Sequence, residues 1–167
     1  AAQRLPQAYN EPVKKYAPGS PERAAIEREL ARQMEIQVDI PLIINGQAVH
    51  TDDKGAARCP HDHQHVLGTF SNAGETQIRQ AIDAALAAKP AWEAMPWKER
   101  ASIFLKAADL ISGKYSALIN AATMLNQSKN VFQAEIDSTC ELVDFLRYNV
   151  KFMEEIYANQ PVSDNGI

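Results

Sequence analysis

Between Val131 and Asn159 the chain runs without a single proline or glycine, and its apolar residues recur at helical spacing. Ile136, Cys140, Val143, Leu146 (with Tyr148 nearby), Val150, Met153 and Ile156 step by three or four, the pattern of one buried helix stripe. At 1.5 Å per residue such a stretch makes a rod of roughly 44 Å, longer than a small domain is wide. A rod of that length cannot bury its apolar stripe alone, so the rest of the chain must lie along it. A second face is acidic, with Glu135, Asp137, Glu141 and Asp144 crowded together.

The preceding chain supplies what could lie there. Residues 1–19 hold Pro6, Pro12, Pro18 and Gly19 and show little periodicity, which predicts an extended arm that lies on another surface or is partly disordered. Ser20-Pro21-Glu22 reads as a helix start: an N-cap, a proline in the first turn, then an acid at the positive end of the dipole. That helix runs to about Gln33, with Ile26, Leu30 and Met34 facing inward. From Gln37 the period changes to that of a strand. Asn45-Gly46 is a hairpin signal because both positions tolerate positive φ. Strands at 37–44, 47–50, 56–59 and 66–70, the last two flanking a turn at Pro60–Gln64, predict a small antiparallel sheet over the second half of a unit spanning 20–72. From 73 to 167 the pattern is helical. One helix carries Ile78, Ile82, Ala85 and Leu86 and is restricted by Pro90. A second starts at Pro96, a third runs from Tyr115 to about Asn126, and the long helix follows. Trp92 and Trp97 flank Pro96 and are expected to pack that junction. The fold class expected is α/β, rich in helix with a small antiparallel sheet.

Composition bounds the function. Of 167 residues, 46% are hydrophobic and 23% charged, globular values. A net charge of −4 argues against nucleic acid, whose phosphates demand clustered Lys and Arg. No apolar run approaches the length of a membrane span. The chain opens without methionine and closes on Ser163-Asp-Asn-Gly-Ile167 with no closing element, so the expectation is a chain cut short.

Three groups of residues could carry chemistry. His61, His63 and His65 alternate, and on a regular strand three imidazoles would share a face and could converge on a metal. The run follows Cys59-Pro60, however, and reads as a polar surface turn, with no metal expected. Cys140 lies mid-helix on the apolar stripe, where packing rather than nucleophilic chemistry is expected, and Cys59 ends a strand. No sequence signal supports a phosphate loop or a dinucleotide fingerprint, for the seven glycines are scattered. Glu141 is the candidate for a ligand. By i+3 and i+4 spacing it shares a face with Asp137, Phe145 and Tyr148. A carboxylate beside an aromatic ring can receive an ammonium group, although a solvated acidic face accounts for the same pattern.

The stretches Trp92-Glu-Ala-Met-Pro96-Trp-Lys-Glu-Arg100, Ile103-Phe-Leu-Lys-Ala-Ala-Asp109, Gln133-Ala-Glu-Ile-Asp137 and Glu141-Leu-Val-Asp-Phe145 resemble the N-terminal part of the aldehyde dehydrogenase superfamily. Asn10-Glu-Pro-Val13 and Gly19-Ser-Pro-Glu-Arg23 extend the likeness to its glutamate-γ-semialdehyde-oxidising branch. The segments occur in order from about residue 10 onward. The resemblance implies the N-terminal segment of an NAD-dependent enzyme that oxidises glutamate-γ-semialdehyde to glutamate in proline degradation. It further implies a homo-oligomer in the cytoplasm or the mitochondrial matrix. It places a substrate-contacting carboxylate at Glu141. The family's nucleophilic Cys, catalytic Glu, oxyanion-stabilising Asn and nucleotide loop have no counterpart in these residues, so no catalytic, cofactor or metal residue is assigned and this chain alone is expected to be inactive. The family's Gly-Lys turn reads Ser128-Lys129 here. A competing expectation is a stand-alone binding or assembly module that kept this segment and pairs through the sheet near Ile43 and Ile44 or through the arm.

Overall fold

The computed structural model describes residues 5–163. The arm from residue 5 to residue 20 has no regular secondary structure and crosses the helices before α1 (Pro21–Glu35) begins. Ser20 caps that helix, its Oγ accepting from the Arg23 amide at 3.3 Å, as the Ser-Pro-Glu start predicts.

Five short strands follow: β1 (Val38–Ile40), β2 (Leu42–Ile44), β3 (Gln47–Val49), β4 (Lys54–Cys59) and β5 (Asp62–Ser71). They form two separate pieces. β2 and β3 make the expected hairpin, with Asn45 at φ 51° and Gly46 at φ 72°, both on the left-handed side that a primed turn requires. The other piece has the order β1-β5-β4 and is mixed: β4 and β5 are antiparallel, while β1 runs parallel to β5. The fully antiparallel sheet expected is therefore corrected. Pro41, which lacks an amide hydrogen, splits the single strand read at 37–44 into two. The halves belong to different sheets, and only the first reaches β5. Gly68 makes that pairing possible, since a Cβ there would lie 2.4 Å from the Val38 carbonyl oxygen.

The turn between β4 and β5 is only Pro60-His61, and β5 starts at Asp62. The polar loop expected over Pro60–Gln64 is thus mostly strand, because the β4 register is irregular around Ala57–Cys59 and lets a tight turn close early.

The remaining elements are α2 (Glu75–Ala94), α3 (Trp97–Ser112), α4 (Ser116–Gln127), α5 (Val131–Ala134) and α6 (Glu141–Ala158), with a π-helical segment, Glu135–Cys140, joining the last two. The core lies around α4. Tyr16, Ile26 and Ala121 bury one side of it, and Cys59, Leu67 and Leu125 the other, with Leu30 touching both groups. Helix α3 packs along α6. Trp97 stacks on Tyr157 at 5.2 Å and Arg100 donates to the Tyr157 hydroxyl, so the tryptophan at the Pro96 junction ties the two helices together. α2 runs on past Pro90 and buries none of its residues.

Candidate acidic groove on the long helix

The rod from Val131 to Ala158 is one helical run with an irregular middle. Asn130 caps it reciprocally: its Oδ1 accepts from the Gln133 amide, and the Gln133 side chain accepts from the Asn130 amide. The π segment that follows is wound with i→i+5 spacing, which rotates everything after it relative to an α-helical reading. Cys140, Val143 and Val150 of the apolar stripe are buried as the spacing predicts, but Ile156 is exposed. Three polar residues share the buried side: Glu135, Thr139 and Arg147.

Glu135 has no solvent exposure at all, and its carboxylate is surrounded by donors. Tyr16 Oη donates to Oε2 at 2.6 Å, Asn120 Nδ2 to the same oxygen at 2.7 Å, and the Lys14 amide to Oε1 at 3.1 Å. Thr139 donates to Asn120 Oδ1 at 2.8 Å and closes the network. Burial, with the Glu135 carboxylate beside it, raises the Tyr16 phenol above its ordinary range. Burial and the same carboxylate push the Cys140 thiol up to about 11. A thiol raised in this way is the opposite of an activated nucleophile, and Cys140 acts as a packing residue.

Further along, the arm meets α6. Asn10 Nδ2 donates to Asp144 Oδ2 at 2.7 Å, the Glu11 amide donates to Asp144 Oδ1 at 2.6 Å, and Tyr148 Oη donates to Asn10 Oδ1 at 3.1 Å. Glu11 and Arg147 form an ion pair at 2.8 Å whose side chains are 12% and 7% exposed. The ring of Tyr9 covers the guanidinium at 4.1 Å. This pair is desolvated and bidirectionally held, unlike the exposed i,i+4 pairs elsewhere in the chain.

Beside that junction lies an open groove lined by Glu141, Asp144, Phe145, Tyr148, Asn149 and Phe152. Glu141 is exposed and, among the described residues, makes no hydrogen bond or ion pair. Phe145 and Tyr148 share its face as the spacing predicts. Asp137 does not: it pairs with Lys129 at 2.5 Å and does not line the groove. The π segment is the reason, since it breaks the α-helical register that would put residue 137 one turn below residue 141.

The other sequence candidates separate. His61 Nε2 lies 3.2 Å from Cys59 Sγ and its Nδ1 2.7 Å from Ser128 Oγ, while His63 and His65 lie on β5. The three do not converge. Ser128 keeps a glycine-like backbone, φ 53° and ψ 31°, so the Ser-Lys turn holds the left-handed shape with a side-chain bond to His61 added. The sequence pattern assigns no role to Glu135, Asn120 or Asn10. An acid directly before Ile136, inside a helix that must bury its stripe, was the available signal for the first.

The aldehyde dehydrogenase family matches residues 49–166. The chain belongs to that family. A delta-1-pyrroline-5-carboxylate dehydrogenase of Agaricus bisporus is 50% identical over 159 residues, which is 95% of this chain and 29% of the relative. A mitochondrial enzyme of the same name from Emericella nidulans is 46% identical, with 97% and 28% covered. The crystal structure of the Mycobacterium tuberculosis delta-pyrroline-5-carboxylate dehydrogenase bound with NAD superposes with a TM-score of 0.94 at 46% identity. It covers 99% of this chain and 31% of that one. The chain thus spans about three-tenths of the length of these aldehyde dehydrogenases. Among its described residues no helix is long and apolar enough to cross a membrane.

Proposed function

We propose that this chain is the N-terminal segment of an NAD-dependent aldehyde dehydrogenase that oxidises glutamate-γ-semialdehyde to glutamate in proline degradation. The observation that carries the reading is the combination of 50% identity along 95% of the chain with an uncommitted carboxylate, Glu141, in an aromatic groove on the helix that organises the segment. The substrate carries an ammonium group at the end remote from its aldehyde. Glu141, beside Phe145 and Tyr148, offers that ammonium a charge-assisted hydrogen bond and an aromatic face. The segment itself supplies no nucleophile: Cys140 is buried with a raised thiol pKa, and Cys59 is fully buried at a strand end.

The described residues also do not fit a nicotinamide nucleotide. Its diphosphate needs a glycine-lined turn opening a helix N-terminus, whereas Gly74, the one glycine at a helix start, has its amide taken by the Gln77 side chain at 3.1 Å. NAD, the catalytic thiol and the base are therefore assigned to the part of the enzyme beyond this chain, and the 167-residue chain alone is inactive. The whole enzyme is proposed to be a homo-oligomer. Its compartment is proposed as the mitochondrial matrix, in line with the Emericella relative's name, or the cytoplasm.

The test is Glu141→Ala in the full-length enzyme. An exposed ion pair contributes about 0.2–1 kcal/mol, at most about a fivefold change in an equilibrium constant. The expected rise in KM for the semialdehyde is about fivefold, with KM for propanal unchanged. Equal rises for both aldehydes would remove Glu141 from the substrate site.

A further inference from the structure

The groove has two carboxylates on its wall, yet only one is free to meet a ligand. Both oxygens of Asp144 are occupied by the arm, Oδ2 by the Asn10 amide and Oδ1 by the Glu11 amide hydrogen. The Glu11 carboxylate is neutralised by Arg147, and Asp137 by Lys129. Asn10 also accepts from Tyr148 Oη, which turns that hydroxyl away from any ligand and leaves the ring as groove wall. A side-chain amide donates through its NH2 to the carboxylate and accepts through its oxygen from the phenol at once.

We propose that Asn10 is a positioning residue that sets substrate specificity: by occupying Asp144 and Tyr148 it leaves Glu141 as the single uncommitted carboxylate of the groove. This rests on the reading of Glu141 as the ammonium acceptor. Asp144 keeps its charge, because both its donors are neutral, but its hydrogen bonds make it the weaker acceptor, and one uncommitted carboxylate suits a zwitterionic amino-acid aldehyde. A second free carboxylate would repel the substrate's own carboxylate and favour a purely cationic amino aldehyde. The arm thereby acts on the site without touching the substrate, and the Asn-Glu pair gains a role beyond anchoring.

The experiment compares glutamate-γ-semialdehyde with 4-aminobutanal, which differs from it by the carboxylate alone, and with propanal, in the full-length enzyme. Asn10→Asp repels Asp144 and frees it. The ratio of kcat/KM for 4-aminobutanal over the semialdehyde should rise about fivefold, the scale of one partly exposed charge interaction, with propanal unaffected. Asn10→Ala, which adds no charge, should shift the ratio the same way and serves if Asn10→Asp does not fold. The double variant Asn10→Asp/Asp144→Asn exchanges donor and acceptor while keeping every hydrogen bond and the net charge, and it should restore the original ratio. An unchanged ratio in Asn10→Asp and Asn10→Ala overturns the proposal, as does a double variant that keeps the shifted ratio. A uniform loss for all three aldehydes overturns it too, since that marks a purely structural role. Glu141→Gln in the same series separates the two readings. If it spares both amino aldehydes, the groove is no ammonium site and both readings fall. If it impairs both while Asn10→Asp leaves the ratio unchanged, only the role of Asn10 falls.

Discussion

Tyr16 shows how much one residue carries. It holds φ 51°, a left-handed conformation that costs a non-glycine residue about 1–2 kcal/mol, and it keeps that strain because its hydroxyl is fixed by Glu135 and Asn120. Its phenol is raised above the usual 10, first by burial and then by the hydrogen bond to Glu135. The sign of the linkage follows: as pH climbs past about 10 the unfolded state loses this proton while the folded state keeps it. Stability contributed by Tyr16 is therefore whole below pH 10 and falls as pH rises above it. Tyr16→Phe should cost about 1–3 kcal/mol at pH 8, with Asn120 left short of a partner. The gap between wild type and variant should narrow between pH 9.5 and 11 in thermal unfolding, because only the wild type has that proton to lose. A gap that stays constant would mean that the hydroxyl is not protected. None of this is visible in a tyrosine between Lys15 and Ala17; it depends on a carboxylate more than a hundred residues away.

At the scale of elements, much was legible and the failures have causes. The capped start at Ser20, the Asn45-Gly46 hairpin and the helices after Gly74 are written in local chemistry, which needs no partner to act. The parallel β1/β5 pairing is not local, for it rests on Gly68 admitting a neighbouring carbonyl. The π segment is invisible for a related reason. Its i→i+5 turns obey no apolar period of their own, and Glu135, read with the acidic face, is fully buried. That segment sets the angle between the two anchors of the arm, Glu135 on one side and Asp144 with Arg147 on the other. A π turn takes up one extra residue, so inserting one alanine after Asp137, an exposed position, adds a residue the turn does not absorb and should rotate the two anchors by about 100° relative to each other. The arm could then satisfy only one of them. Limited trypsin digestion reads this out: Lys14 is protected in the wild type by bonds to Ser112 and Ser116, and cleavage after Lys14 or Lys15 should become at least about tenfold faster in the insertion variant. An unchanged rate would show that the irregular turns do not set the anchors.

For the molecule as a whole, the polar arm is satisfied and the apolar faces are not. Ile78, Ile82 and Leu86 form one stripe of α2 and are 52–61% exposed, and Ile43 of the hairpin beside them is 68% exposed. The hairpin and α2 face each other across an open apolar groove. Contiguous exposed apolar surface of this kind marks an interface or an aggregation hazard. The chain spans about three-tenths of its relatives, and on the proposed segment reading the further chain of such an enzyme would cover these faces. The same faces would serve the competing reading of a self-pairing module, and the two diverge in solution. Produced alone, the 167-residue chain should associate without a fixed stoichiometry, its light-scattering mass rising with concentration, and show no NAD reduction with the semialdehyde. Ile82→Glu with Leu86→Lys should suppress that association while leaving the arm, the π segment and the acidic groove intact. A discrete dimer that withstands dilution and is broken by Ile43→Glu would favour the module instead. Measurable turnover by the chain alone would overturn both, because the buried Cys140 and Cys59 leave its described residues no thiol poised to attack an aldehyde.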